Sequence, residues 1–196
     1  MKSPGKIFKF VFIITMSLFL LAGCKQPPKT VVNTEVAVAS ENDVNMIAPD
    51  FSLKTLDDES ISLSDYKGKV VVVHIATTWC PFCNAEAPYL EALYQDYKDK
   101  NVQVILIDVK EPKELVQEKL KEKYNLSFQV LLDLDGAVAT RYAPEGVLPD
   151  LGRDEVMLAS NLIIDEEGNI RFMSLLDSQN FDAELIQLKE RLNELL

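Results

Sequence analysis

The sequence predicts an α/β fold, a central mixed β-sheet covered by helices on both faces. Two observations carry that expectation. The run Val70-Val71-Val72-Val73-His74-Ile75-Ala76 is apolar without alternation, which marks a strand buried on both faces. Strand-like and helix-like stretches then alternate along the chain and end in a hairpin followed by a helix, the order of a mixed sheet with helices packed on each side.

Residues 1 to 23 stand outside that fold. Lys2, Lys6 and Lys9 precede the apolar stretch Phe10 to Leu21, and Leu21-Ala22-Gly23-Cys24 closes it. A basic start, a short apolar core and small residues at the cut describe a secretory signal, and the stretch is too short for a comfortable membrane span. Residues 24 to 45 show no sustained apolar period and read as a tether, whose ends would lie about 25 Å apart if flexible.

The domain occupies residues 46 to 196. Ala48-Pro49-Asp50-Phe51-Ser52-Leu53 is a short extended piece that turns through Asp57-Asp58-Glu59 into Ile61-Ser62-Leu63-Ser64, and Lys67-Gly68-Lys69 breaks the chain before the buried strand. From Asn84 to Lys98, Ala87, Leu90, Leu93, Tyr94 and Tyr97 fall at helical spacing, with Pro88 predicting a kink. A second buried strand is expected over 102–107, a helix from Pro112 to Lys123, a short strand over 128–132 and a brief helix over 137–142. The stretches 158–164 and 170–175 flank Asp165-Glu166-Glu167-Gly168 as a hairpin, and Asp182 caps a last helix carrying Leu185, Leu188, Leu192 and Leu195 on one stripe.

The net charge of −11 becomes −14 without residues 1 to 23, which hold three lysines and no acids. Such an acidic chain is a poor partner for nucleic acid or for anionic lipid. There are three cysteines, and two of them, Cys80 and Cys83, stand two residues apart in Trp79-Cys80-Pro81-Phe82-Cys83, where the buried strand gives way to a helix. That spacing suits a redox-active disulfide. The competing zinc site would need two further Cys or His ligands, and the chain offers only Cys24 and His74.

Ala48-Pro49-Asp50-Phe51, Ser62-Leu63-Ser64-Asp65-Tyr66-Lys67-Gly68-Lys69, Trp79-Cys80-Pro81-Phe82-Cys83 and Leu162-Ile163-Ile164-Asp165, in this order, resemble the thioredoxin superfamily. More narrowly they are similar to the TlpA-like and ResA-like, membrane-anchored redoxins of the AhpC/TSA type. The end of the apolar leader resembles the lipobox of bacterial lipoproteins, so Cys24 is the expected site of lipid attachment. The resemblance implies a thioredoxin-like fold with an N-terminal β extension and a lipid-anchored monomer in the cell envelope, facing the periplasm or the exterior. It also implies thiol-disulfide exchange, in the reducing direction, with envelope protein thiols and disulfides, apocytochrome cysteines among them. A membrane redox donor or acceptor would serve it, and no cofactor is expected beyond the Cys80-Cys83 pair.

On that reading Cys80 attacks from the exposed helix N-terminus and Cys83 resolves, with Pro81 and Phe82 between them. Trp79 either packs beside the disulfide as an apolar edge for a partner or fills the core. His74, six residues before Cys80, takes the slot of the buried acid of thioredoxins, so its ring would face Cys83 and take its proton; the alternative is a core histidine bonded to backbone. The family's cis-proline slot falls at Ala159, next to Ser160, where this chain has no proline; Pro149 could serve only after an insertion. Two alternative functions remain at this stage. A thiol peroxidase would use Thr77, three residues before Cys80, and an arginine from Arg141 or Arg153. A copper metallochaperone would use Cys80, Cys83 and His74 as soft ligands.

Overall fold

Seven consecutive buried residues, Val70–Ala76, form the strand around which the sheet is built. In the computed structural model of the chain the described residues are 46–143, 160–175 and 181–196. Among them the strands are β1 (Met46–Ile47), β2 (Ser52–Thr55), β3 (Ser60–Ser62), β4 (Val70–Ala76), β5 (Val102–Val109), β6 (Gln129–Asp133), β7 (Ser160–Ile164) and β8 (Asn169–Leu175). The helices are α1 (Pro81–Tyr97), α2 (Lys113–Val116), α3 (Ala137–Tyr142) and α4 (Ile186–Leu195). The sheet order is β1-β8-β7-β4-β5-β6-β2-β3.

Strands β4, β5 and β6 run parallel, so their C-terminal ends open on one edge, while β7 lies antiparallel on the other side of β4. The mixed sheet expected from the sequence is present, and its N-terminal strands supply both outer margins, β1 beside β8 and the β2–β3 pair beside β6. Side chains of a strand alternate between faces, so β4 feeds two cores. Val70, Val72 and Ala76 pack with Leu90 and Leu93 of α1 and Leu188 and Leu192 of α4; Val71, Val73 and Ile75 pack with Val138, Ala139 and Tyr142 of α3. Removing each such side chain from water contributes about 1.5–3 kcal/mol, which is why an unbroken apolar run suits this central position.

Two details differ from the sequence expectation. The helix expected from Pro112 to Lys123 is α-helical only over α2 and then widens into a π-helical stretch, Gln117–Glu122. Helix α4 begins at Ile186, because buried Leu185 sits in the left-handed region at φ 57°; the Asp182 carboxylate nevertheless accepts the Gln187 N–H at 2.8 Å. The secretory leader, the tether and Cys24 lie outside the described residues, and among those described no helix is long and apolar enough to cross a membrane.

Leu90 is 0% exposed between α1 and the sheet. Leu90→Ala is expected to lower the unfolding free energy by about 2–5 kcal/mol in urea titrations, through lost contacts and the cavity left behind. Leu134→Ala, at a 64% exposed position, is expected to change it by less than about 0.5 kcal/mol.

Candidate active site

Strand β4 ends at Ala76, and Thr77-Thr78-Trp79 carry the chain to Cys80 at the N-terminal cap of α1. Cys80 is extended (φ −69°, ψ 116°), Pro81 takes the first helical position, where a missing amide hydrogen costs nothing, and the Cys83 N–H donates to Cys80 Sγ at 3.2 Å. This bond turns the Cys80 sulfur inward. The residue is 1% exposed, not open at the helix tip as the sequence suggested. Two clamps fix the loop. Glu111 accepts the Thr78 N–H on one oxygen and the Thr78 hydroxyl on the other, at 2.6 Å for the hydroxyl. From the far side the Asn84 amide donates to the carbonyls of Thr78 (2.8 Å) and Cys80 (2.7 Å), while its oxygen accepts from Tyr124 and Lys123.

One turn beyond Cys83, Glu86 points into the core at 1% exposure. Its Oε2 accepts the Asn161 amide N–H at 2.9 Å, and Asn161 Oδ1 lies 2.7 Å from Nδ1 of His74. The register explains the contact, since His74 of β4 pairs with Asn161 of β7. With the Asn161 amide donating to Glu86, its oxygen must accept, so His74 carries its proton on Nδ1. His74 Nε2 has no hydrogen-bond partner among the described residues.

Burial pushes His74 down to about 4, with Asn161 partly opposing, so the ring is neutral at physiological pH. Such a ring is a poor proton acceptor. The role expected for His74 at Cys83 therefore lacks the basicity it needs, and the ring instead orients Asn161. Glu86 is pushed up to about 8 by burial, against the Asn161 hydrogen bond and with the charges of Asp182 and Cys80 adding to the rise. Cys80 is lowered to about 7, chiefly by the thiol of Cys83 and with help from the Cys83 and Phe82 amides, against burial. Cys83 is driven far above the ordinary thiol range by that same shared hydrogen bond, by burial and by the Cys80 charge. The site thus holds one nucleophile ready at neutral pH and one thiol locked in its protonated form.

The remaining sequence candidates divide sharply. Trp79 is 59% exposed beside Cys80, which removes the core-filling alternative. Phe82 is half-buried against Phe181, with ring centres 4.8 Å apart. Ser160 is buried at the start of β7, whereas Ala159, Pro149 and Arg153 lie outside the described residues. Among the described residues there is no cis peptide bond. Arg141 is exposed on α3, on the face of the sheet opposite α1, so it does not serve Cys80 as a peroxidatic arginine would. No three Cys, His, Asp or Glu side chains among the described residues form a metal-holding group, so the copper ligand set is not assembled.

A family model for the AhpC/TSA family matches residues 44–173. The chain belongs to the AhpC/TSA family. Among curated relatives, the thiol-disulfide oxidoreductase ResA of Oceanobacillus iheyensis is 38% identical over 151 residues, covering 72% of this chain and 73% of its own. The protein of the same name from Bacillus thuringiensis is 34% identical over 149 residues, covering 76% and 74%. A solved structure of a secreted Mycobacterium tuberculosis disulfide oxidoreductase, homologous to Escherichia coli DsbE, superposes with a TM-score of 0.59 at 25% identity, covering 74% of this chain and 96% of that one. The thioredoxin domain of a Bacteroides vulgatus thiol-disulfide oxidoreductase shares the fold at a TM-score of 0.60 and 24% identity, covering 76% and 96%. The fold is thioredoxin-like, and the chain is an enzyme of the thiol-disulfide oxidoreductase class.

Sequence reasoning passed over Glu86 and Asn161. A signal for Glu86 existed, because Cys83, Glu86, Leu90, Leu93 and Tyr97 share one buried helical stripe, and a carboxylate there has to be burdened by its surroundings. A second acid of this kind is Asp108, opposite Ala76, which burial first and Glu111 second push up to about 9. In the unfolded chain Glu86 releases its proton near 4.5, whereas in the folded dithiol it keeps it to about 8. Between those values the unfolded state binds fewer protons, so stability falls as pH rises through this window. Denaturant titrations of the reduced protein at pH 5 and pH 8 should show that fall. Glu86→Gln should show a smaller one and be the more stable protein at pH 8; Asp108 contributes the slope that persists.

Proposed function

We propose that this chain is an extracytoplasmic, lipid-tethered enzyme that reduces disulfides of envelope proteins, apocytochrome cysteines among them, with Cys80 attacking, Cys83 resolving and Glu86 moving the proton. The observation that carries the reading is the geometry of the pair, with Cys80 capping α1, its sulfur accepting the Cys83 N–H at 3.2 Å and the buried Glu86 one turn beyond Cys83; the lowering of Cys80 and the raising of Cys83 agree with it. Support for export comes from the leader and the Leu21-Ala22-Gly23-Cys24 motif, and for a protein substrate from the exposed Trp79 beside the buried sulfurs.

The Cys80 thiolate attacks one sulfur of the substrate disulfide. A bond forms between Cys80 and that sulfur, the substrate S–S bond breaks, and the departing substrate thiolate takes a proton from solvent. Cys80 has now lost its charge. The same charge had been raising both Glu86 and Cys83, so attachment of the substrate makes Glu86 a carboxylate more readily and makes the Cys83 proton easier to remove. Glu86 accepts that proton, the Cys83 thiolate attacks Cys80 Sγ, and the second substrate sulfur leaves as a thiolate to be protonated. Two electrons have passed to the substrate and the enzyme holds the Cys80-Cys83 disulfide, which an external donor must reduce.

Equilibration with glutathione buffers is expected to give a potential near that of thioredoxin, about −270 mV; a value near that of DsbA, about −120 mV, would reverse the proposed direction. Glu86→Gln is expected to leave the first attack intact and slow resolution by about 100-fold near pH 7, as loss of a positioned base does. Equal rates of resolution in the two proteins would remove Glu86 from the mechanism.

A further inference from the structure

Glu86 does not end in solid core. Its carboxyl faces a small cavity walled by Phe172, Leu175, Leu185 and Leu188, and the polar side chains of Asn161, Ser174, Asp182 and Gln187 complete the lining. Among the described residues lining it, Asp182 is the only acid besides Glu86. It is half-buried, and its carboxylate accepts the Gln187 N–H at 2.8 Å, a bond that favours one position for it at the start of α4. We propose that Asp182, placed across this cavity from Glu86, sets the pH range in which Glu86 can take the proton of Cys83.

The charge balance around Glu86 gives the direction. From β4 it meets His74, at 3.5 Å and neutral; from β7 it meets the uncharged Asn161; from α1 it meets Cys80 and Cys83; from the segment leading into α4 it meets Asp182. Among the described residues no cation contributes to its charge balance. Once the substrate is attached, Cys80 is uncharged, and among the described residues Asp182 is the charge left opposing ionisation of Glu86. Two like charges separated by apolar walls interact more strongly than they would in water. Asp182 therefore keeps Glu86 protonated to a higher pH and delays resolution until the surroundings are near neutral or above. Asp182 touches neither sulfur, so it acts through Glu86 and is a positioning residue.

The inference rests on the reading of Glu86 as the base for Cys83, and the test separates the two. The full-length reduced protein, carrying Cys24→Ser so that Cys80 and Cys83 are its two thiols, is mixed with 5,5′-dithiobis(2-nitrobenzoate). Attack by Cys80 releases one thionitrobenzoate and leaves another disulfide-linked to Cys80; attack by Cys83 on Cys80 releases the second. The rate of that second phase is followed from pH 5 to 9. Asp182→Asn keeps a side-chain oxygen for the Gln187 N–H, so the start of α4 is retained while the charge is lost. Its resolution limb should move to lower pH, making the second phase at pH 6 faster than wild type by about 3-fold or more, as removal of a nearby like charge predicts. Asp182→Glu should restore the wild-type limb. Glu86→Gln should abolish the limb, and adding Asp182→Asn to it should change nothing further.

An unmoved limb in Asp182→Asn, with the limb lost in Glu86→Gln, would overturn the role of Asp182 alone. A limb that survives in Glu86→Gln would overturn the reading of Glu86 on which it rests.

Discussion

Burial in the region shared by Cys80, Cys83 and Glu86 disfavours every negative charge there, a charge on Cys80 makes a second one costlier, and the rest of the site is arranged around that constraint. A thiolate on Cys80 is stabilised by the Cys83 thiol and two backbone amides. The same charge opposes ionisation of Glu86 and of Cys83. Burial makes the opposition strong, because little water remains to screen it. A second negative charge among the three groups is therefore disfavoured.

A limit of this kind works only if the groups cannot drift apart, and the scaffold supplies the stiffness. Continuous apolar packing on both faces holds β4, and its end delivers Thr78 to the two oxygens of Glu111. Asn84 ties the backbone of the same loop to α1 and, through Tyr124, to the segment that follows α2. Below the sulfurs, the Asn161 amide N–H donates to Glu86 and its oxygen bonds neutral His74, so the amide is held between the two. His74, which the sequence left open as either a base for Cys83 or a core histidine bonded to backbone, bonds the Asn161 side chain that donates to Glu86.

The features legible in sequence were those with local causes. β4 announced itself by six apolar residues around His74, α1 by its stripe and by Pro81 at its start, the β7–β8 hairpin by Gly168 at φ 90°. The two cysteines were legible from spacing alone. Glu86 was not, because a glutamate in an amphipathic helix ordinarily marks the wet face, and only the count from Cys83 puts it on the dry one. Asn161 was further out of reach, since its contact with His74 joins residues 87 apart and depends on the β4–β7 register. The inward turn of Cys80 depends on a hydrogen bond from its own helix, a matter of cap geometry that composition does not encode.

The same charge limit bears on the direction of electron flow. A dithiol is favoured over its disulfide to the extent that its thiolate is stabilised below ambient pH. At pH 7 a Cys80 that titrates near 7 is half ionised, which favours the reduced form by only about 0.4 kcal/mol, or about 10 mV. A thiol titrating near 3.5, as in DsbA, gains about 5 kcal/mol, or about 100 mV, from the same source. Glu86 works in the same sense as the weak stabilisation, because its ionisation is opposed in the thiolate form and freed of that opposition once Cys80 is tied up in the disulfide. Both effects leave the dithiol comparatively willing to give up its electrons. The placement of a carboxyl one turn below the cysteines, which confines the charge, is thus also the physical ground for the reducing direction proposed for this enzyme.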